Sequence, residues 1–321
     1  MLTRRRVLAV ALGLAVFAAG CSEDGGTGDG SEFAADADLE VRTVEETFVD
    51  ESRETPRSGD VAAQSSRTLE SLVFLPEGDG PYPLLVFAHG LASSPDAYLD
   101  LLGGLASAGF VIVAPEFPLT SENGPTAPDT GDTQNQPGDV SFVIDTVLAE
   151  AEAGEEPYGD LVDPEHIGAF GHSNGAVTTY GVAANTCCRD DRIDAAVLLA
   201  GLPEPYGGGE YAFDEAPPMV LVHGTSDHGV PYEEAVRTFN ELTGVKGLLS
   251  MTRVGHTEFL YSSGSGFDTT VSVVRDFFRS QLRSDEAAAD RLASEEVPEE
   301  GMELHFATGD TTDVTLPTVP G

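Results

Sequence analysis

Ser173 lies at the centre of the pentapeptide GHSNG, residues 171–175, which fits the pattern Gly-X-Ser-X-Gly. In that pattern a sharp turn from a strand into a helix holds a serine hydroxyl above the edge of a parallel sheet. The glycines are needed because a Cβ on either side of the serine would collide with the neighbouring strand and helix. An apolar segment, residues 166–170, precedes the pattern. We therefore interpret Ser173 as a candidate nucleophile.

A serine nucleophile needs a base that takes its proton. When the serine stands on this kind of turn, the acid and then the histidine follow it along the chain. Of the seven histidines, His228, His256 and His305 lie beyond the next expected strands. His228 adjoins the favoured acid, which leaves it badly placed to bridge that acid to Ser173, and His305 lies near the C-terminus. We expect His256, in the loop after the last core strand, to be the base.

An acidic side chain must orient that histidine. The apolar strand expected at residues 219–222 runs into the sequence HGTSD, which ends at Asp227. We expect Asp227 to hold His256 in the correct tautomer and to stabilise its imidazolium form. A turn or capping role is the structural alternative, because aspartate is common in turns. Glu210 and Asp214, which follow the preceding strand, are the other candidate acids.

Two backbone N–H groups must hold the negative charge that develops on the substrate oxygen. One is expected from Asn174, the residue after the nucleophile, and the other from Leu91 in the loop after an early central strand. Gly90, just before Leu91, lets the backbone approach a substrate closely. This chemistry needs neither a metal ion nor an organic cofactor.

Strands and helices alternate along the chain. Continuous apolar runs such as PLLVFA at residues 83–88 are typical of central strands that are buried on both faces. Segments with helical periodicity separate them, which predicts an α/β fold with a mostly parallel central sheet and helices on both faces. Ligands bind at the carboxyl ends of the strands in such sheets, and each candidate residue above follows a predicted strand.

Only residues 201–218 separate the two predicted strands that follow the candidate nucleophile, so no large cap domain fits there. We expect a shallow, open site for short or medium acyl groups. One wall is expected from the loop at residues 118–137, and another from Leu202, Tyr206, Tyr211 and Phe213. His172 is expected to pack within the serine turn and is a further candidate pocket residue.

The two ends of the chain predict targeting and a peripheral extension. Residues 1–20 combine consecutive arginines with a short apolar stretch, as in a twin-arginine export signal, and end in a lipobox-like sequence before Cys21. We expect lipidation of Cys21, with ordinary signal cleavage and an incidental cysteine as the alternative. Residues 21–38 are expected to form a disordered tether and residues 39–283 the catalytic domain. Residues 284–321 are expected to form an acidic C-terminal extension with a peripheral helix and a loose tail.

The chain of 321 residues carries 55 acidic and 16 basic side chains, a formal net charge of −39. Nucleic acids and anionic membrane surfaces are disfavoured as partners by this charge. We expect a monomer that binds a small-molecule ester and meets the membrane only through a lipid on Cys21, or is secreted. The adjacent Cys187 and Cys188 could form a disulfide in an oxidising compartment, in a structural or incidental role.

Four short motifs together resemble the α/β-hydrolase superfamily over about residues 67–282: AHG at 88–90, GHSNG at 171–175, HGTSD at 223–227 and GH at 255–256. Within it, the chain is similar to cap-less serine esterases of the dienelactone-hydrolase-like, platelet-activating-factor-acetylhydrolase-like and chlorophyllase-like groups. The resemblance implies a triad of Ser173, Asp227 and His256 and hydrolysis of carboxylic esters. Two alternatives stay open: an amidase or peptidase on the same triad, and a non-catalytic, surface-anchored binding protein on a hydrolase scaffold.

Overall fold

The computed structural model describes residues 38–309. The strands are β1 Val41–Asp50, β2 Arg67–Pro76, β3 Tyr82–Ala88, β4 Val111–Pro115, β5 Val162–His172, β6 Ala195–Leu199, β7 Met219–Gly224, β8 Val245–Met251 and β9 Met302–Thr308. The helices are α1 Leu99–Ser107, α2 Gln136–Glu152, α3 Asn174–Ala184, α4 Tyr232–Glu241, α5 Phe267–Leu282 and α6 Glu286–Ala293. All these strands belong to one sheet with the order β1-β2-β4-β3-β5-β6-β7-β8-β9.

The centre of the sheet is parallel, from β4 across β3, β5, β6 and β7 to β8. The pairs β1–β2, β2–β4 and β8–β9 are antiparallel. Every residue of β3 is buried, because its side chains point alternately into two separate cores. Leu84 and Val86 pack with residues of α2, α3 and α4, whereas Leu85 and Phe87 pack with α1 and α5. The predicted α/β fold, with a mostly parallel sheet and helices on both faces, is confirmed.

The connection between β6 and β7 is short. Residues 200–218 form turns and one isolated bridge between Tyr211 and Asn185, with no helix among them. No cap domain enters the fold at this point, as the sequence predicts.

The C-terminal segment differs from the loose tail expected for it. Strand β9 pairs with β8 along its whole length, from Thr308 opposite Val245 to Met302 opposite Met251. Its side chains alternate, and Met302 and Leu304 join the core beneath α5. The expectation is wrong for residues 302–308 because it followed the acidic composition and overlooked this alternation of apolar residues. Strand β9 also covers an edge that β8 would otherwise expose.

The predicted export signal, Cys21 and all but the last residue of the predicted tether lie outside the described residues. Within residues 38–309, no helix combines the length and the apolar character that a membrane span requires.

Candidate active site

Ser173 occupies the tight turn between β5 and α3, with φ 54° and ψ −118°. A positive φ is strained for a residue with a side chain and persists only where the surroundings impose it. The flanking glycines explain how the turn is accommodated. A Cβ on Gly171 would lie 2.3 Å from the Gly175 carbonyl oxygen, and one on Gly175 would lie 1.9 Å from the Ala88 carbonyl oxygen. Any side chain at these positions would push α3 away from the sheet.

His256 lies within hydrogen-bond distance of both other members of the expected triad. Its Nε2 is 2.8 Å from Ser173 Oγ, and its Nδ1 is 2.6 Å from Asp227 Oδ2. A carboxylate can only accept, so Nδ1 carries the proton and Nε2 is free to accept from the serine hydroxyl. The structure therefore brings together three side chains from three separate loops, in an arrangement that can activate a serine hydroxyl.

Asp227 is held on both carboxylate oxygens. Its Oδ1 accepts from the N–H groups of Gly229 at 2.7 Å and Val230 at 2.9 Å, and its Oδ2 lies 3.2 Å from His223 Nε2 as well as beside His256. Burial alone would raise the pKa of this carboxyl, but the hydrogen bonds from His223, His256 and Val230 outweigh it and hold the pKa well below its usual range. Asp227 therefore stays ionised beside His256.

Backbone contacts join the loops that carry Asp227 and His256. The N–H groups of Thr225 and Ser226 each donate at 2.9 Å to the carbonyl oxygens of Met251 and Val254 respectively. The end of β7 also packs closely against the loop that carries His256: a Cβ on Gly224 would lie 2.2 Å from the Val254 carbonyl oxygen. The spacing between acid and histidine thus rests on the paired ends of β7 and β8.

The two expected oxyanion donors lie on segments that meet at the serine turn. Asn174 is the first residue of α3, where a backbone N–H has no partner inside the helix. The Leu91 N–H has no hydrogen-bond partner among residues 38–309. The turn that carries Leu91 packs closely against the serine turn. A Cβ on Gly90 would lie only 3.1 Å from His172 Nδ1. Both N–H groups are free to bind an anionic oxygen.

The side chain of Asn174 is held by residues that the sequence analysis missed. Thr133 Oγ1 donates to Asn174 Oδ1 at 2.9 Å, and Asn174 Nδ2 donates to Gln136 Oε1 at 3.3 Å. Thr178 also donates to Gln136 Oε1 through a short hydrogen bond. Thr133 and Gln136 both lie within residues 118–137, the segment expected to form a wall of the site, but nothing in the local pattern singles them out within it.

His172 packs within the serine turn, whereas the three aromatic side chains expected to wall the site lie against α3. His172 is buried behind the serine turn, with its ring against that of His256. Tyr206 donates to the Val177 carbonyl oxygen of α3, while Tyr211 stacks on Phe213 over the same helix. These aromatic rings pack on α3 and help to bury it, since every residue of the helix from Gly175 to Ala184 is buried.

The rejected candidates lie elsewhere. Glu210 and Asp214 line a depression of about 610 Å³ beside Thr186, beyond the C-terminal end of α3. His305 lies on β9 opposite Leu248, far along the sheet from the serine turn. His228 is exposed beside Asp227. Close to that depression, a disulfide joins Cys187 to Cys188.

Comparisons with known proteins agree with this architecture. The family model described as chlorophyllase matches residues 45–228, a span that includes Ser173 and Asp227 but ends before His256. A chlorophyllase type 0 from Chenopodium album is 31% identical over 114 residues, which are 35% of this chain and 31% of the relative. The alignment thus spans about a third of the length of that curated relative.

Among solved structures, a ferulic acid esterase from Streptomyces cinnamoneus superposes with a TM-score of 0.60 at 20% identity. The superposition covers 78% of this chain and 93% of that esterase, and it shows that the two share a fold. The match to the family model covers more than half of the chain, from the middle of β1 to one residue beyond the candidate acid. This chain belongs to the chlorophyllase family, within the α/β-hydrolase superfamily.

Proposed function

We propose that this protein is an exported serine hydrolase that cleaves carboxylic esters with short or medium acyl groups through an acyl-enzyme. The observation that carries the proposal is the continuous contact from Ser173 Oγ to His256 Nε2 at 2.8 Å and from His256 Nδ1 to Asp227 Oδ2 at 2.6 Å. Membership of the chlorophyllase family supports an esterase-like hydrolase.

In the first half-reaction, Ser173 Oγ attacks the ester carbonyl carbon while His256 Nε2 takes the hydroxyl proton. The carbonyl oxygen becomes an oxyanion, which the N–H groups of Leu91 and Asn174 bind. His256 then gives its proton to the leaving alcohol, and the acyl group stays on Ser173.

In the second half-reaction, His256 takes a proton from water, and the resulting nucleophile attacks the acyl carbon. Collapse of the second oxyanion intermediate releases the carboxylic acid and returns the proton to Ser173 Oγ. Throughout both steps Asp227 stays negatively charged and stabilises the imidazolium of His256, as its lowered pKa supports. His256 carries every proton in both half-reactions, while the backbone N–H groups only bind the oxyanion.

The preference for short or medium acyl groups rests on the open surroundings of the site. No helix lies between β6 and β7, and the Leu91 side chain is 39% exposed. A long acyl chain gains affinity from a deep apolar channel, which these surroundings do not supply. Because two relatives carry the names ferulic acid esterase and chlorophyllase, esters of ferulic acid and chlorophyll belong in the substrate panel.

The export part of the proposal rests on the arginine-rich segment and on Cys21, both from the sequence alone. We propose a monomer that is anchored by a lipid on Cys21 to the outer face of the cytoplasmic membrane. Expression of the full chain with and without Cys21→Ala tests this, because the wild type should stay with membranes and incorporate labelled palmitate. Equal amounts of both proteins in the soluble fraction would contradict the anchor.

The catalytic part is tested on the wild type, on Ser173→Ala and on Ser262→Ala, which removes an exposed serine of the loop beyond His256. A fluorophosphonate probe should label the wild type and Ser262→Ala but not Ser173→Ala. Turnover of p-nitrophenyl butyrate by Ser173→Ala should fall by about 10⁶-fold. A wild type that neither labels nor turns over esters would contradict the proposal, and faster cleavage of a matched anilide would favour an amidase.

A further inference from the structure

His172, the last residue of β5, is 4% exposed, yet each of its ring nitrogens has a partner. Nε2 lies 3.0 Å from the backbone carbonyl oxygen of His256, and Nδ1 lies 2.9 Å from the Tyr98 hydroxyl. A carbonyl oxygen can only accept, so Nε2 carries the proton. In the neutral ring Nδ1 is then an acceptor, and the Tyr98 hydroxyl donates to it.

The Tyr98 hydroxyl also accepts a hydrogen bond from the Gly90 N–H at 3.1 Å. The hydrogen bonds therefore run in one direction, from Gly90 through Tyr98 and His172 to the carbonyl oxygen of His256. Through Tyr98, this series of hydrogen bonds joins three segments: the turn that carries Leu91, the strand end that precedes Ser173, and the loop that carries His256. Each segment contributes one part of the proposed catalytic machinery.

The direction of the chain requires a neutral His172. Burial is the main cause that lowers the pKa of His172 to about 3, and the neighbouring His256 ring is the second. Burial also raises the pKa of the Tyr98 hydroxyl, which therefore keeps the proton that it donates. The ring centroids of His172 and His256 are only 4.8 Å apart. A neutral His172 thus adds no positive charge beside the imidazolium that His256 becomes during the reaction.

We propose that Tyr98 and His172 are positioning residues, which fix the Leu91 N–H relative to His256 through this chain of hydrogen bonds. The inference rests on the proposed function, since such positioning matters only if Ser173 reacts. Both side chains are buried behind the serine turn, so we assign them no contact with the substrate. Their effect therefore falls on the oxyanion, whose charge develops only in the transition state, so that kcat changes and KM does not.

The first test is Tyr98→Phe, which removes one hydroxyl and keeps the ring. We expect kcat for p-nitrophenyl butyrate to fall about tenfold, because a small displacement of an oxyanion donor has a large effect on rate. KM should stay within about twofold, and the affinity for a boronic acid that mimics the tetrahedral intermediate should fall by the same factor as kcat. Tyr180→Phe, which removes a buried hydroxyl on α3 remote from this chain, should leave all three quantities unchanged.

The second test is His172→Gln, alone and combined with Tyr98→Phe. Glutamine can place its amide N–H where the ring Nε2 donates to the His256 carbonyl oxygen, but it then has no acceptor at the position of Nδ1 for Tyr98. We therefore expect kcat to fall by a similar factor. Both changes break the same series of hydrogen bonds. The loss of kcat in the double variant should therefore be no larger than that in the more impaired single variant. Losses in kcat that multiply in the double variant would overturn the inference.

The remaining outcomes are equally decisive. A Tyr98→Phe protein with the kcat of the wild type, or one whose kcat loss equals that of Tyr180→Phe, would overturn the positioning role while leaving the proposed function intact. A rise in KM with kcat unchanged would also overturn it, because it would place Tyr98 in substrate binding. A wild type without label or turnover would overturn the proposed function, and this inference with it.

Discussion

The guanidinium of Arg67 on β2 is buried against the carboxylate of Asp132, with nitrogen–oxygen distances of 2.9 and 3.0 Å. Asp139, in the first turn of α2, accepts two further hydrogen bonds from Arg67 at 2.7 and 2.6 Å. Thr133, which lies between these two acids in the sequence, donates a hydrogen bond to the side chain of Asn174. A buried ionic cluster therefore anchors the segment that packs against the serine turn.

Replacement of Arg67 should be strongly destabilising. Arg67→Met leaves Asp132 buried without a counterion and Asp139 paired with Arg53 alone, so the free energy of unfolding should fall by about 3–5 kcal/mol. Urea denaturation followed by circular dichroism measures this change. Arg42→Met, at an exposed position on β1, should stay within about 0.5 kcal/mol of the wild type. Equal losses in the two variants would show that the cluster has no special role.

Replacement of Asp227 should impair catalysis far more than folding. In Asp227→Asn the amide oxygen can still accept from Gly229 and Val230, but the group no longer selects the productive tautomer of His256. We expect kcat to fall about 10⁴-fold, with the melting temperature little changed. Asp214→Asn, which alters the other candidate acid near the far end of α3, should retain full activity. The opposite ranking of the two variants would assign the acid to Asp214.

The stability of the protein should fall as the pH drops from 7 to 5. Burial, and to a smaller extent the neighbouring His256 ring, lowers the pKa of His172 from 6.5 to about 3. Burial lowers the pKa of His89 from 6.5 to about 4. Between these values the unfolded chain binds protons that the folded chain does not, so acid favours unfolding. The expected loss is about 2 kcal/mol for each histidine between pH 7 and pH 5.

Urea denaturation at both pH values measures that loss. His89→Gln should remove about half of the difference, because glutamine does not titrate but can still accept from the Phe117 N–H. His228→Gln, at an exposed position, should leave the pH dependence as it is in the wild type. If His89→Gln retains the full difference, His89 is not held neutral in the folded protein.

The open site should show in the preference for acyl length. Leu91 stands exposed at the serine turn and no cap domain enters after β6, so a longer acyl chain gains little additional burial. We expect kcat/KM for p-nitrophenyl butyrate to equal or exceed that for the octanoate. A tenfold preference for the octanoate would contradict the open site and would require a deep acyl channel.

Salt should stabilise the folded chain. A formal net charge of −39 produces strong repulsion among surface carboxylates, and the screening length shrinks from about 10 Å at 0.1 M salt to about 3 Å at 1 M. The melting temperature should therefore rise between these two concentrations of sodium chloride. Potassium chloride at the same concentrations should raise the melting temperature by a similar amount, because screening depends on ionic strength. A melting temperature that stays constant or falls with added salt would argue against the electrostatic cause.

Local patterns in the sequence determined most of the architecture. The apolar runs of β3 and β7 indicate buried parallel strands, because a strand covered by helices on both faces buries the side chains on both of its faces. The glycines around Ser173 identify the serine turn, since they satisfy steric demands between near neighbours. These features are visible in a single sequence because each depends on residues a few positions apart.

Composition misled the prediction at two places. The acidic C-terminal segment forms β9, whose partner β8 is distant in sequence, and the aromatic residues between β6 and β7 cover α3 instead of the serine. In both cases the residue types suit several environments, and only the packing of the sheet and of α3 selects one.

Contacts between distant residues were decided by the tertiary structure alone. Arg67 and Asp132 are 65 residues apart, and Tyr98 and His172 are 74 residues apart. Nothing in the local sequence pairs them, because a buried polar group finds its partner only when strand pairing has set which side chains meet. The sequence by itself therefore determined the candidate nucleophile, acid and histidine and the order of strands and helices before β9. The three-dimensional packing decided which buried polar side chains hold them in place.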